Sequence, residues 1–115
     1  MAYILLHHTG CGTSRKGLAL LQENGIEPEV RKYMNKSEQL GIDELKDIAR
    51  KMGADSPRVF LREKNAKERG LPDDIDGEEL YQAMAEDPYI IQRPIGINGK
   101  KAILGRPNEK LLEII

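Results

Sequence analysis

The spacing of apolar residues changes along the chain, and the changes mark its elements. "AYILLH", Ala2 to His7, is a short run rich in strand formers and predicts a buried strand. From Thr13 to Asn24 the spacing turns helical, with Leu18 and Leu21 on one face and Gly25 as a stop. "EVRKYM", Glu29 to Met34, follows a proline and reads as a second strand. Leu45, Ile48, Ala49 and Met52 stand at i, i+3, i+4 and i+7 between Asp43-Glu44 and Gly53, which describes a short amphipathic helix. Ser56 to Leu61 adds a further turn, and Leu80, Ala83 and Met84 repeat the helical spacing up to the limit set by Pro88. "IGI" and "KAIL" flank Asn98-Gly99, a strong hairpin signal. The closing "RPNEKLLEII" predicts a helix starting near Pro107, with Leu111, Leu112 and Ile115 as its buried face.

The order is therefore strand, helix, strand, helical block, hairpin, helix. Two strands joined by one crossover helix should be parallel, and the hairpin adds an antiparallel pair. The expected class is α/β: a thioredoxin-like fold with a mixed four-stranded sheet, flanking helices and a helical insertion between strands 2 and 3. With 115 residues, one domain spanning 1–115 is expected, the insertion occupying about 40–88, and a chain of this size can bury a real core without staples.

Charge narrows the chemistry. The 18 Lys and Arg nearly cancel the 19 Asp and Glu, and the signs are interspersed, which argues against a general nucleic-acid or membrane surface. Any anion site must be local. A single cysteine cannot form an internal disulfide, which points to a reducing compartment. The opening has no basic leader and no stretch approaches a membrane span, so a cytoplasmic location is expected.

That cysteine, Cys11 in "HHTGCGTSR", falls between the first strand and the first helix. Its sulfur would lie near the unpaired N–H groups and the positive dipole end of that helix, which favours thiolate. Gly10 and Gly12 would let the backbone turn and aim N–H groups at an anion, while Thr13 and Ser14 could cap the helix or hydrogen-bond the sulfur. A phosphate loop, a dinucleotide fingerprint and a phosphatase loop each fail on spacing. Free cysteines are often buried and inert, and arginines taken singly are ordinary surface charges. His7 fits either a core histidine with one satisfied nitrogen or a group tuning Cys11, and both readings stay open. Adjacent His7 and His8 on a strand point to opposite faces and no fourth ligand cluster is present, so no metal site is expected. "REKNAKERG" reads as a solvated helix or loop.

Several motifs together resemble one family. Cys11 opening C-G-T-S-R with His7 four residues before it, followed by "FLREKNAKERGL", "DPYIIQRPIGI" and "AILGRPNEKLLEII", is similar to the glutaredoxin-dependent arsenate reductases over nearly the whole chain. The resemblance implies Cys11 as nucleophile and Arg62, Arg93 and Arg106 as the oxyanion-binding arginines. It implies His7, Gly12, Thr13, Ser14, Arg15 and Pro94 as thiolate tuning or loop support, with a cis bond commonly held at such a proline. His8 and Thr9 stand where many members have Asn-Pro, and Lys16 replaces a frequent Asn. The implied reaction is reduction of arsenate to arsenite through an S-arsenate adduct. No bound cofactor is implied: glutathione is co-substrate, glutaredoxin the partner, and phosphate a competitor. Two alternatives are a glutaredoxin-like thiol transferase, which has no need of three arginines, and an Spx-type polymerase-binding redox regulator, which typically carries C-x-x-C where this chain has Cys11-Gly-Thr-Ser14.

Overall fold

A computed structural model describes residues 2–115. Its elements are β1 (Tyr3–Leu6), α1 (Gly12–Glu23), β2 (Glu29–Arg31), α2 (Ile42–Met52), α3 (Glu63–Glu68), α4 (Gly77–Glu86), β3 (Ile95–Asn98) and β4 (Lys101–Leu104), with four short 3-10 segments between or after them. The sheet runs β2-β1-β3-β4. β1 pairs β2 in parallel, while β1–β3 and β3–β4 are antiparallel. This is the mixed sheet of the thioredoxin-like fold, with the helical block between β2 and β3.

Period-2 alternation in β1 sorts the core into two clusters. Tyr3 and Leu5 join Leu21, Leu111 and Ile114 on the α1 side. Leu6 joins Leu45, Ile48, Phe60, Leu80, Met84 and Ile95 on the side of α2 and α4. Each fully buried Leu or Ile contributes roughly 1.5–3 kcal/mol of apolar transfer, so each β1 side chain fixes the sheet from one face. Helix ends follow local chemistry. At α2 the Glu44 carboxylate accepts from Gly41 N–H at 3.1 Å. Its other end closes with Gly53 at φ +70° while Gly53 and Ala54 N–H groups donate to Arg50 and Ala49 carbonyls.

Four expectations are corrected. The second strand ends at Arg31, and Tyr33 lies beyond it, fully buried, its hydroxyl donating to Ile91 O at 3.0 Å. The hairpin loop is Gly99-Lys100, since Asn98 pairs with Lys101. Gly99 takes φ +62°, as the first central residue of a primed turn requires, and Asn98 Nδ2 instead donates to Ile114 O at 2.7 Å. The C-terminal helix is 3-10 over Asn108–Ile114; its threefold period buries Leu111 and Ile114 and leaves Ile115 65% exposed. The charged stretch after Leu61 does form a helix, α3, but Asn65 and Ala66 within it are buried. Among the described residues, no helix is long and apolar enough to cross a membrane.

Candidate active site

Cys11 is the N-cap residue of α1, in extended conformation, and no side-chain oxygen caps the helix. No acidic residue lies in the first turn, so the positive end of the helix is left to the sulfur. Burial alone would raise the Cys11 thiol. The Ser14 N–H, the Arg93 guanidinium and the Thr13 N–H outweigh it, and the thiol is held below its ordinary value. Arg106 Nη2 stands 3.9 Å from Sγ, at the outer limit of a hydrogen bond to sulfur, so Arg93 carries the larger share of the arginine effect.

The three arginines arrive from separate segments. A single antiparallel bridge, Leu61 to Ile91, ties the two loops that carry Arg62 and Arg93; Arg62 N donates to Ile90 O and Gln92 N to Phe60 O, each at 2.7 Å. Arg106 follows β4 and its Nε donates to Arg93 O at 2.9 Å. Arg93 itself is 5% exposed. Its Nη1 donates to Tyr89 O at 3.1 Å, while its Nε has no partner. Burial, then the charge of Arg93, and further that of Arg106 lower the Arg62 pKa, whereas Cys11 raises it. Thiol and guanidinium groups thus share one field.

None of Arg62, Arg93 or Arg106 forms an ion pair among the described residues, whereas Arg31, Arg50, Arg58 and Arg69 do. Arg62 instead donates to the Asn65 amide oxygen, and Asn65 Nδ2 donates to Glu68 at 3.1 Å. Carboxylates are kept one residue away. Three guanidiniums and a depressed thiol with no neutralising anion can hold a tetrahedral oxyanion and present it to sulfur.

The supporting residues divide. His7 is 4% exposed and its Nδ1 lies 2.8 Å from Ser14 Oγ, while the same oxygen accepts from His8 N at 3.1 Å. Ser14 is fully buried, so this junction locks the loop onto the helix. Burial above all, then the charges of His8, Lys32 and Arg15, hold the His7 pKa down. The His7 ring meets Ser14, which aims its own N–H at the sulfur. Arg15 turns back and its Nη1 donates to Thr9 O at 2.7 Å, bracing the loop from outside. Gly12 is exposed, and the loop turns, with Cys11 N donating to His8 O at 3.0 Å, without a positive φ at Gly10 or Gly12. Pro94 follows a cis Arg93–Pro94 bond, and a second cis bond, Arg106–Pro107, adjoins the third arginine. The Pro94 ring lies against α1, 3.0 Å from where a Cβ on Gly17 would be.

His8, Tyr89 and Asn65 also stand around these residues: His8 and Asn65 lie three positions from Cys11 and Arg62, whereas Tyr89 arrives from a distant segment that no local pattern marks. A groove of about 400 Å³ between β2 and α2 holds none of the four chemical residues. Among the described residues no three His, Cys, Asp or Glu gather as metal ligands.

Comparison with known proteins places this geometry. A family model described as the ArsC family matches residues 6–114. The chain is 42% identical over its whole length to a protein of Haemophilus influenzae named arsenate reductase, covering 100% of that protein. It is 39% identical to one of the same name from Neisseria meningitidis serogroup A, over 96% of each chain. A solved structure described as an arsenate reductase from Vibrio cholerae superposes with TM-score 0.89 at 36% identity, over 100% of this chain and 98% of that one.

Proposed function

Because this chain belongs to the ArsC family, we propose that it is an arsenate reductase in which Cys11 is the nucleophile and Arg62, Arg93 and Arg106 bind the oxyanion. The observation that carries this reading is the convergence of three guanidiniums, none in an ion pair, on a thiol held below its ordinary pKa. Hydrogen arsenate is multiply charged, and its approach to a thiolate is repulsive unless fixed cations absorb the charge. The arginines do so, most strongly as charge builds in the transition state.

Attack of Cys11 Sγ on arsenic forms the S–As bond; the As–OH bond breaks, and with one added proton the hydroxyl leaves as water. Arsenic remains pentavalent at this stage. An external thiolate then attacks Cys11 Sγ, the S–As electron pair passes to arsenic, and trivalent arsenite departs while Cys11 carries a mixed disulfide. The chain has one cysteine, so the thiol comes from outside: glutathione as co-substrate, glutaredoxin as the partner that resolves the mixed disulfide. No bound cofactor takes part, and phosphate competes for the arginines. This chemistry suits the reducing cytoplasm. His7, Gly12, Thr13, Ser14, Arg15 and Pro94 shape the loop rather than touch arsenic.

The test is arsenite formation from arsenate by the purified protein with glutathione, glutaredoxin, glutathione reductase and NADPH, with Cys11→Ser as control. Turnover that needs both Cys11 and glutaredoxin is the expected result. Retained turnover in Cys11→Ser removes the mechanism. Cys11-dependent reduction of a glutathione mixed disulfide without arsenite selects the thiol transferase, and inactivity in both assays raises the polymerase-binding regulator as the next reading to test.

A further inference from the structure

Expulsion of hydroxyl from pentavalent arsenic consumes a proton, and the four residues assigned above are poor sources of one: Cys11 must be deprotonated and arginines do not release protons. We infer that His8 is the catalytic acid, its imidazolium giving the departing oxygen the proton with which it leaves as water. This rests on the arsenate reductase reading. In the step Sγ–As forms, As–OH breaks, the His8 proton goes to the leaving oxygen, and solvent restores it afterwards.

Placement of the ring carries the argument. Cys11 N donates to His8 O at 3.0 Å, so one turn joins the backbones of the two residues. The ring lies over Gly10, where an added Cβ would come 3.1 Å from Nε2 and 3.2 Å from Cε1. On its other side it meets Tyr89 edge to face, centroids 5.8 Å apart at 80°, and Tyr89 O is the anchor of Arg93. His8 therefore links the thiol loop to the segment whose carbonyl anchors Arg93. Neither ring nitrogen is hydrogen-bonded among the described residues, unlike His7, whose Nδ1 is taken by Ser14. The glycine at position 10 acquires a reason here: a Cβ would crowd the imidazole and require it to shift.

The groups around the ring are Cys11 across the turn, His7 before it, Tyr89 beside it, and Arg62 and Arg93 opposite. Burial first, then Arg93 and Arg62, keep the empty-site imidazole below its ordinary pKa. An anion seated among the arginines cancels their repulsion and adds attraction, so the imidazole takes up its proton when the oxyanion is present.

Two measurements decide. Arsenite turnover by His8→Asn and His8→Gln is compared with the parent at each pH, so that arsenate's own ionisation cancels in the ratio, and thermal melting verifies folding. The expected loss in kcat is about a hundredfold, shrinking as pH falls and solvent protons replace the imidazolium. Gly10→Ala, whose Cβ crowds the ring while keeping His8, should lose kcat in the same direction. In parallel, NMR titration of the chain's two histidines should show the His8 midpoint rising on saturation with phosphate. Turnover within about threefold of the parent in both His8 variants across the pH range overturns the assignment, as does a midpoint that phosphate leaves in place. If the parent makes no arsenite, the reductase reading fails instead, and the phosphate titration still decides whether His8 responds to an anion in this site.

Discussion

At the scale of single residues, Cys11 should alkylate with iodoacetamide along a pH profile whose midpoint lies below the roughly 8.5 of a free thiol. Arg93→Met should move that midpoint upward, since Arg93 is the arginine that most lowers it; an unmoved midpoint would assign the depression to the helix N–H groups alone. Acid stability is set nearby. His7 and His8 both have pKa values lowered by burial from the ordinary 6.5, so the unfolded chain binds protons that the folded chain refuses. Stability is thus present above about 6.5 and falls as pH drops from there toward the folded values. Glu44 and Asp76, lowered by hydrogen bonds from Arg31 and Ser56 respectively, add stability that is fully present above the ordinary carboxylate range and is lost only as pH falls below it. Urea titrations between roughly pH 7 and 5 should show the histidine loss, and His7→Phe should reduce it. Cys11 stood out by its place between a strand and a helix, whereas the arginines were marked only by the resemblance of the motifs around them. The His8 ring was not legible, because its setting depends on Tyr89, 81 positions along the chain.

The elements carry a different constraint, the close seating of α1 on Pro94. A Cβ on Gly17 would meet Leu111 Cδ1 and Pro94 Cγ at 3.0 Å each. Gly17→Ala should therefore cost about 1–3 kcal/mol of unfolding free energy and lower turnover by lifting the helix that bears Cys11. Gly12→Ala is the contrast: its Cβ meets only Arg15 Nη2, at 3.7 Å, and its effect in the same urea titration should stay within about 0.5 kcal/mol. Equal losses in both variants would contradict the packing argument. Element type was readable where apolar spacing was long and regular, as in α2 and β1. It failed at the C-terminus, because i, i+3 burial of Leu111 and Ile114 suits a 3-10 helix as well as an α-helix over seven residues, and only packing on β4 and α1 decides.

For the whole molecule, the site is a place where three segments meet under one charge. The order of elements along the chain followed from pattern, but the Leu61–Ile91 bridge that brings Arg62 to Arg93 has no signature in sequence, since each partner is a lone residue outside the sheet. An anion that binds only the folded state stabilises it by mass action. Phosphate or arsenate at about 100 times its dissociation constant should add roughly 2.7 kcal/mol, read as a raised melting temperature. The gain should vanish in Arg93→Met and shrink in high sodium chloride. Without an anion, the arginines repel: after burial, Arg62 is held down by Arg93 and by Arg106, with Cys11 and Glu68 offsetting only part of this, and none of the three arginines forms an ion pair among the described residues. Proteases in a cell sample the fraction of chains that open. If the proposed oxyanion binding holds, idle copies of this protein should be degraded sooner than occupied ones, and its abundance should follow the supply of oxyanion even at a constant rate of synthesis.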